Sequence, residues 1–252
     1  MKPASLCLLL LPIFTVGCGN ETSPNGTSQP EPAVKEAAPS VVKRSEKRSP
    51  QGGDAKSSRE MNETEAYIAE QIRLKVWSGF FDSEQAQNMI TELLEKDSDE
   101  AMLRSLVDEE FSRKYQAEES WPKVTEYDKL REVFRRLRAK GVIAVHNAGW
   151  DMSEAFHSSL EAYRAAGEPK ELYGTCYYTA QDVDRAVQGE GLYLGFGSTR
   201  AEDEAVDAPR AAAVIVEELK AAGLAVEWDG KTSSRLKVEM KWEVRGNGGP
   251  SR

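Results

Sequence analysis

The sequence predicts an α/β domain: a mixed, mostly parallel sheet of about five strands with flanking helices and an N-terminal helical layer. Two observations predict it. Between residues 62 and 138 apolar side chains recur at helical spacing, three or four positions apart. From Gly141 onward, short apolar runs of strand length alternate with helix-period segments and are punctuated by glycine.

The helical part reads in order. Ile68, Ile72 and Val76 form one stripe, with Asn62 as its cap and Gly79 as its stop. After Ser83, Ala86, Met89, Ile90, Leu93 and Leu94 form a second stripe. A third runs from about Ser98 through Met102, Leu103, Leu106, Val107 and Phe111 to Tyr115, and Trp121-Pro122 breaks it. The fourth places Tyr127, Leu130, Phe134 and Leu137 on one side, with Arg131, Arg135, Arg136 and Arg138 elsewhere. Those arginines are the one dense basic group, and Glu126, Asp128 and Glu132 beside them predict a salt-bridged solvent face.

The sheet follows. Val142–Val145 is a continuous apolar run, as expected of a strand covered on both faces. A helix from Ser153 to about Ala166 leads to a strand over Leu172–Tyr178, then a short helix over Gln181–Val187 to a strand over Leu192–Phe196. Beyond the acidic loop Glu202–Asp207, Ala212, Ile215, Val216 and Leu219 mark a further helix, stopped by Gly223. Leu224–Trp228 and Leu236–Trp242 read as an antiparallel pair joined through Asp229-Gly230. Strands separated by helices favour parallel neighbours, which is why the rest of the sheet is expected to be parallel.

Ahead of this domain, assigned to residues 61–245, the chain has the look of an export signal and a tether. Lys2, the apolar run Leu6–Val16 and the small Gly17 make residues 1–17 a secretory signal, too short for a membrane span. Thr15-Val16-Gly17-Cys18 resembles the lipobox of bacterial lipoproteins, which implies lipidation of Cys18 and attachment to a membrane of the cell envelope. Gly19 after that cysteine implies the periplasmic face of the outer membrane if the cell has two membranes. Residues 18–60 are rich in Ser, Pro, Gly and charge and poor in apolar side chains, so a disordered tether is expected there, and likewise a disordered tail over 246–252.

Charge narrows the partners. The chain carries a formal net charge of −9, and residues 61–252 hold 25 Lys/Arg against 36 Asp/Glu, a net of −11. Such a surface repels phosphate backbones, so nucleic acid is not an expected partner. Of three cysteines, Cys7 lies in the signal and Cys18 in the lipobox, leaving Cys176 alone and no internal disulfide.

In a parallel sheet ligands bind at the carboxyl ends of the strands, and polar residues gather there. His146 and Asn147 follow the first strand; Tyr178, Gln181 and Asp182 follow the second; Gly195 to Arg200 close the third. His146 suits a general base, weighed against a neutral imidazole bonded across a loop. Cys176 as a nucleophile competes with the simpler reading of a buried small hydrophobe. Asn147 and Asp182 also suit helix caps or turns. His157 lies on a separate helix and no Cys/His spacing motif occurs, so no metal site is expected, and no cofactor is specified.

Several motifs together resemble an uncharacterised bacterial family known as a domain of unknown function. They are Val76-Trp77-Ser78-Gly79-Phe80, His146-Asn147-Ala148-Gly149, Tyr177-Tyr178 with Gln181-Asp182, Gly191 through Gly197, and Glu227-Trp228-Asp229-Gly230, spread from Ile68 to Trp242. The resemblance implies no activity. In that family a histidine often follows the second aromatic, where Thr179 stands here, so the resemblance implies no histidine pair.

The expectation from sequence is a membrane-anchored acidic binding or interaction module, with its ligand face at the strand ends and an unidentified protein or small molecule as ligand. The alternative is a small hydrolase or transferase using His146 as base, with Asn147, Gln181 and Asp182 positioning substrate.

Overall fold

A computed structural model describes residues 59–246. The signal segment with Cys18, the tether up to residue 58 and the chain beyond 246 lie outside the described residues.

Four helices come first. They are α1 (Glu63–Ser78), α2 (Ser83–Leu93), α3 (Glu100–Glu118) and α4 (Glu126–Ala139). The local chemistry explains their ends. The Asn62 side chain accepts from the Glu65 N–H at 2.8 Å while the Glu65 carboxylate accepts from the Asn62 N–H at 2.9 Å, a reciprocal cap on α1. Gly79 ends that helix with φ 77°, where a Cβ would also fall 2.5 Å from Val244 Cγ1. Helices α1 to α3 enclose their own apolar cluster, in which Ile68, Ile72 and Val76 meet Ile90, Leu103 and Val107. The predicted stripes are therefore core. Each such side chain contributes about 1.5–3 kcal/mol by leaving water.

The remaining elements are β1 (Val142–Val145), α5 (Met152–Ala165), β2 (Gly174–Tyr177), α6 (Ala180–Val187), β3 (Leu192–Ser198), α7 (Glu204–Ala221), β4 (Ala225–Glu227) and β5 (Leu236–Glu239). The expected acidic loop is shorter than read, because Glu204 already opens α7 and Asp207 lies within it. Helices α4 and α7 cover one face of the sheet, where Leu130, Phe134, Ile215 and Leu219 join Val142, Leu192, Leu236 and Val238. Helix α5 covers the other, where Tyr163 and Leu172 pack on Ile143. Successive residues of β1 thus enter opposite layers, which accounts for its unbroken apolar run. No helix among the described residues is long and apolar enough to cross a membrane.

The sheet has five strands in the order β1-β2-β3-β5-β4. It is mixed, and its last pair is the expected antiparallel one, but the expectation of a mostly parallel sheet is corrected. Only β1 and β2 run parallel; β2–β3, β3–β5 and β4–β5 are antiparallel. The reason lies in α6. It leaves the carboxyl end of β2 and packs on α1 and β3, with Lys75 paired to Asp184 at 3.3 Å, so the chain re-enters the sheet at the end it left. Helical periodicity shows that a helix forms, not which face it crosses.

Gly141 sets the start of β1. With φ 85° it lets its carbonyl accept from the N–H groups of Tyr173 and Gly174, and a Cβ there would sit 2.6 Å from the Glu171 carbonyl oxygen.

Candidate functional site

Because β1 and β2 are parallel neighbours, their carboxyl ends emerge side by side. The loop after β1 is stitched to the end of β2: the Ala148 N–H donates to the Tyr178 carbonyl and the Ala180 N–H to the Gly149 carbonyl, each at 2.8 Å. Asn147 makes the bend with φ 44°, a left-handed conformation that asparagine tolerates better than most residues. Its Oδ1 is buried with no hydrogen-bond partner among the described residues.

His146 and Tyr178 meet at this edge, with His146 Nδ1 3.0 Å from the Tyr178 hydroxyl. The imidazole stacks on Phe134 of α4 with ring centroids 4.4 Å apart, and Tyr127 lies against it at 6.3 Å. Burial, and then the positive charge of Arg131, push the His146 pKa down to about 4. Burial holds the Tyr178 phenol well above its ordinary value and pushes Tyr127 up to about 12. At neutral pH the cluster is therefore uncharged, and both phenols keep their protons. Where Tyr178 donates to Nδ1, the remaining imidazole N–H is at Nε2, for which no protein partner exists among the described residues.

Beside His146 a groove of about 530 Å³ opens between α4 and β1, lined by Arg131, Phe134, Arg135, Arg138, Ala144 and His146 together with Asp128 and Glu132. Its electrostatics match the expected salt-bridged arginine face in part. Arg135 is held by Glu132 at 2.6 Å and Arg136 by Glu218 at 2.7 Å. Arg131 reaches Asp128 only at 4.0 Å, and that carboxylate already accepts from the Thr125 N–H and hydroxyl, both at 3.0 Å. Arg138 has no ion pair among the described residues. Two guanidiniums are thus left largely free on an otherwise acidic domain. In the sequence Arg131 and Arg138 read as solvent face and Phe134 as core. The available signal was their spacing, three and then four residues apart, which places them on one side of a helix.

The other expected site residues go elsewhere. Asp182 is fully buried. It caps α6 by accepting from the Thr179 N–H at 2.9 Å and hydroxyl at 2.7 Å, and it pairs with Arg185 at 3.0 Å and with Arg235. None of these groups bonds to His146 or Tyr178, so the strand ends form two separate networks. Gln181, in the first turn of α6, makes no side-chain hydrogen bond among the described residues. Cys176 lies inside β2, in register with Ala144 and Phe196, fully buried, and burial raises its thiol far above the ordinary range. That is the setting of a small core side chain. Gly197 to Arg200 do not join the site. β3 runs against β2, so they reach the opposite edge of the sheet, where Thr199 bonds to the carbonyls of Leu172 and Tyr173. Among the described residues no group of three or more His, Cys, Asp or Glu is placed to hold a metal, and His157 sits on the surface of α5 beside Glu161.

With this geometry established, comparison with known proteins gives one match. The chain belongs to the family described as Domain of unknown function (DUF6891), which matches residues 61–246. No curated protein and no solved structure matches it.

Proposed function

We propose that this member of the DUF6891 family is a binding module whose ligand seat is the groove between α4 and β1, and that a lipid on Cys18 holds it at a membrane of the cell envelope. One observation carries the reading of the seat: Arg131 and Arg138 stand largely unneutralised around an apolar floor of Phe134, next to a neutral His146, on a domain that is otherwise acidic. Two nearby guanidiniums and an imidazole N–H offer donors, while the two carboxylates of the lining are engaged by Arg135 and Thr125; this is the chemistry that receives an anionic group. Two groups that could have assisted a base-catalysed reaction at His146, Asp182 and Cys176, are engaged in the fold instead, which favours the binding reading.

The test is a thermal-shift screen of the full chain against small carboxylates and phosphorylated compounds, repeated on Arg138→Ala and His146→Ala. A ligand bound only to the folded state raises Tm, by about 2.7 kcal/mol of stabilisation at a hundredfold excess over Kd. Ligands that shift the parent and leave both variants unmoved support the groove. Equal shifts in all three would place the seat elsewhere, and conversion of the ligand would favour the hydrolase reading. The anchor is tested separately: Cys18→Ser should release the protein from membranes.

A further inference from the structure

The groove runs along the free edge of a strand. β1 is the first strand of the sheet and, among the described residues, has β2 on one side only. Its main-chain groups alternate. The Gly141 carbonyl accepts from the Gly174 N–H, and Val142 is in register with Gly174, so that carbonyl and the polar groups of Ile143 face β2. Those of Val142 and Ala144 face away from it. Ala144 and His146, two residues apart on this strand, both line the groove.

Unpaired strand edges invite another strand, and native proteins commonly guard them with charge. Here the guard is net positive: Asp128 and Glu132 also line the groove, but Glu132 is held by Arg135, and Arg131 with Arg138 tips the edge toward acidic segments and against basic ones. We infer that the groove receives an extended acidic peptide, which adds to β1 as a sixth strand. Main-chain pairing with Val142 and Ala144 would supply the register, and alternate carboxylates would reach Arg131 and Arg138. The intervening side chains would lie on the α5 face, where half-buried Val145 sits. The inference rests on the groove being the ligand seat and names the class of ligand.

The probe is a blocked ten-residue peptide alternating Glu with Val, titrated into the full chain. Two further versions are N-methylated, one at every Glu and one at every Val. An added strand turns the N–H groups of only one of these sets toward β1, so one methylated version should lose at least about tenfold in affinity while the other keeps it. Ala144→Pro removes an N–H that β2 does not use, which an edge strand tolerates, and should abolish binding; Ala144→Ser, which keeps that N–H, should not. Hydrogen exchange at the Ala144 amide should slow on binding. Absence of peptide binding, or equal binding of both methylated versions, would overturn strand addition. The groove itself would survive that result if small anions still raised Tm through Arg138, and would fall with it if they did not.

Discussion

His146 is uncharged at neutral pH because burial and the neighbouring Arg131 hold its pKa at about 4, below its ordinary 6.5. The unfolded chain binds a proton at this residue below pH 6.5, and the folded one does not until about pH 4. Between those values the unfolded state holds more protons, so stability is full above pH 6.5 and falls as the pH drops toward 4. Over this window the loss at this one residue approaches about 3 kcal/mol. Urea denaturation at pH 7, 6, 5 and 4.5 should show that slope, and His146→Phe should flatten it. An unchanged slope in the variant would mean that the imidazole is not the group responsible. The same burial explains what could be read from sequence at this scale. A histidine leaving an apolar strand, followed two elements later by a tyrosine at a strand end, signals a partly buried polar pair. Whether a carboxylate joins that pair depends on what else competes for it. Arg235, 53 positions beyond Asp182 in the chain, wins here, and no local pattern announces that.

The elements were legible in kind and misread in direction. Caps, stops and apolar stripes are local, and every expected strand and helix overlaps an element of the domain, although α7 starts earlier and β2 and β5 are shorter than their apolar runs. Strand direction is set by where α6 docks, and that depends on contacts with α1 far away in sequence, including the ion pair of Lys75 with Asp184. Asp182 belongs to the same junction. It caps α6, and through Arg235 it ties that helix to the carbonyl of Tyr193 in β3, 2.7 Å from the guanidinium. Removing a buried carboxylate leaves its cation and the N–H at the helix start without partners. Asp182→Ala should therefore cost about 3 kcal/mol or more of folding stability, and Asp182→Asn, which still presents a cap acceptor, distinctly less. Chemical denaturation measures both. Binding to the groove by the fraction that remains folded should be unaffected, because Asp182 shares no hydrogen bond with His146 or Tyr178; a loss of affinity in fully folded protein would rejoin the two networks.

At the scale of the molecule, the local charge of the groove opposes that of the chain. The groove is lined by three arginines against two carboxylates, whereas residues 61–252 carry a net of −11. An acidic ligand therefore meets repulsion at long range and attraction only at contact. Salt acts unequally on the two. The screening length shrinks from about 30 Å at 0.01 M to about 8 Å at 0.15 M, which removes the remote repulsion first and leaves close, partly buried ion pairs less affected. Association of the Glu/Val peptide should accelerate several-fold over that range, the reverse of the usual slowing when opposite charges attract at a distance. Arg131→Ala with Arg138→Ala should raise the dissociation rate and leave the acceleration in place, since the net charge that causes it is then still more negative. Stopped-flow fluorescence with a labelled peptide resolves both rates. A steady slowing of association from the lowest salt upward would mean that the groove's own field reaches solvent ahead of the domain's, and the balance of local against global charge argued here would be wrong.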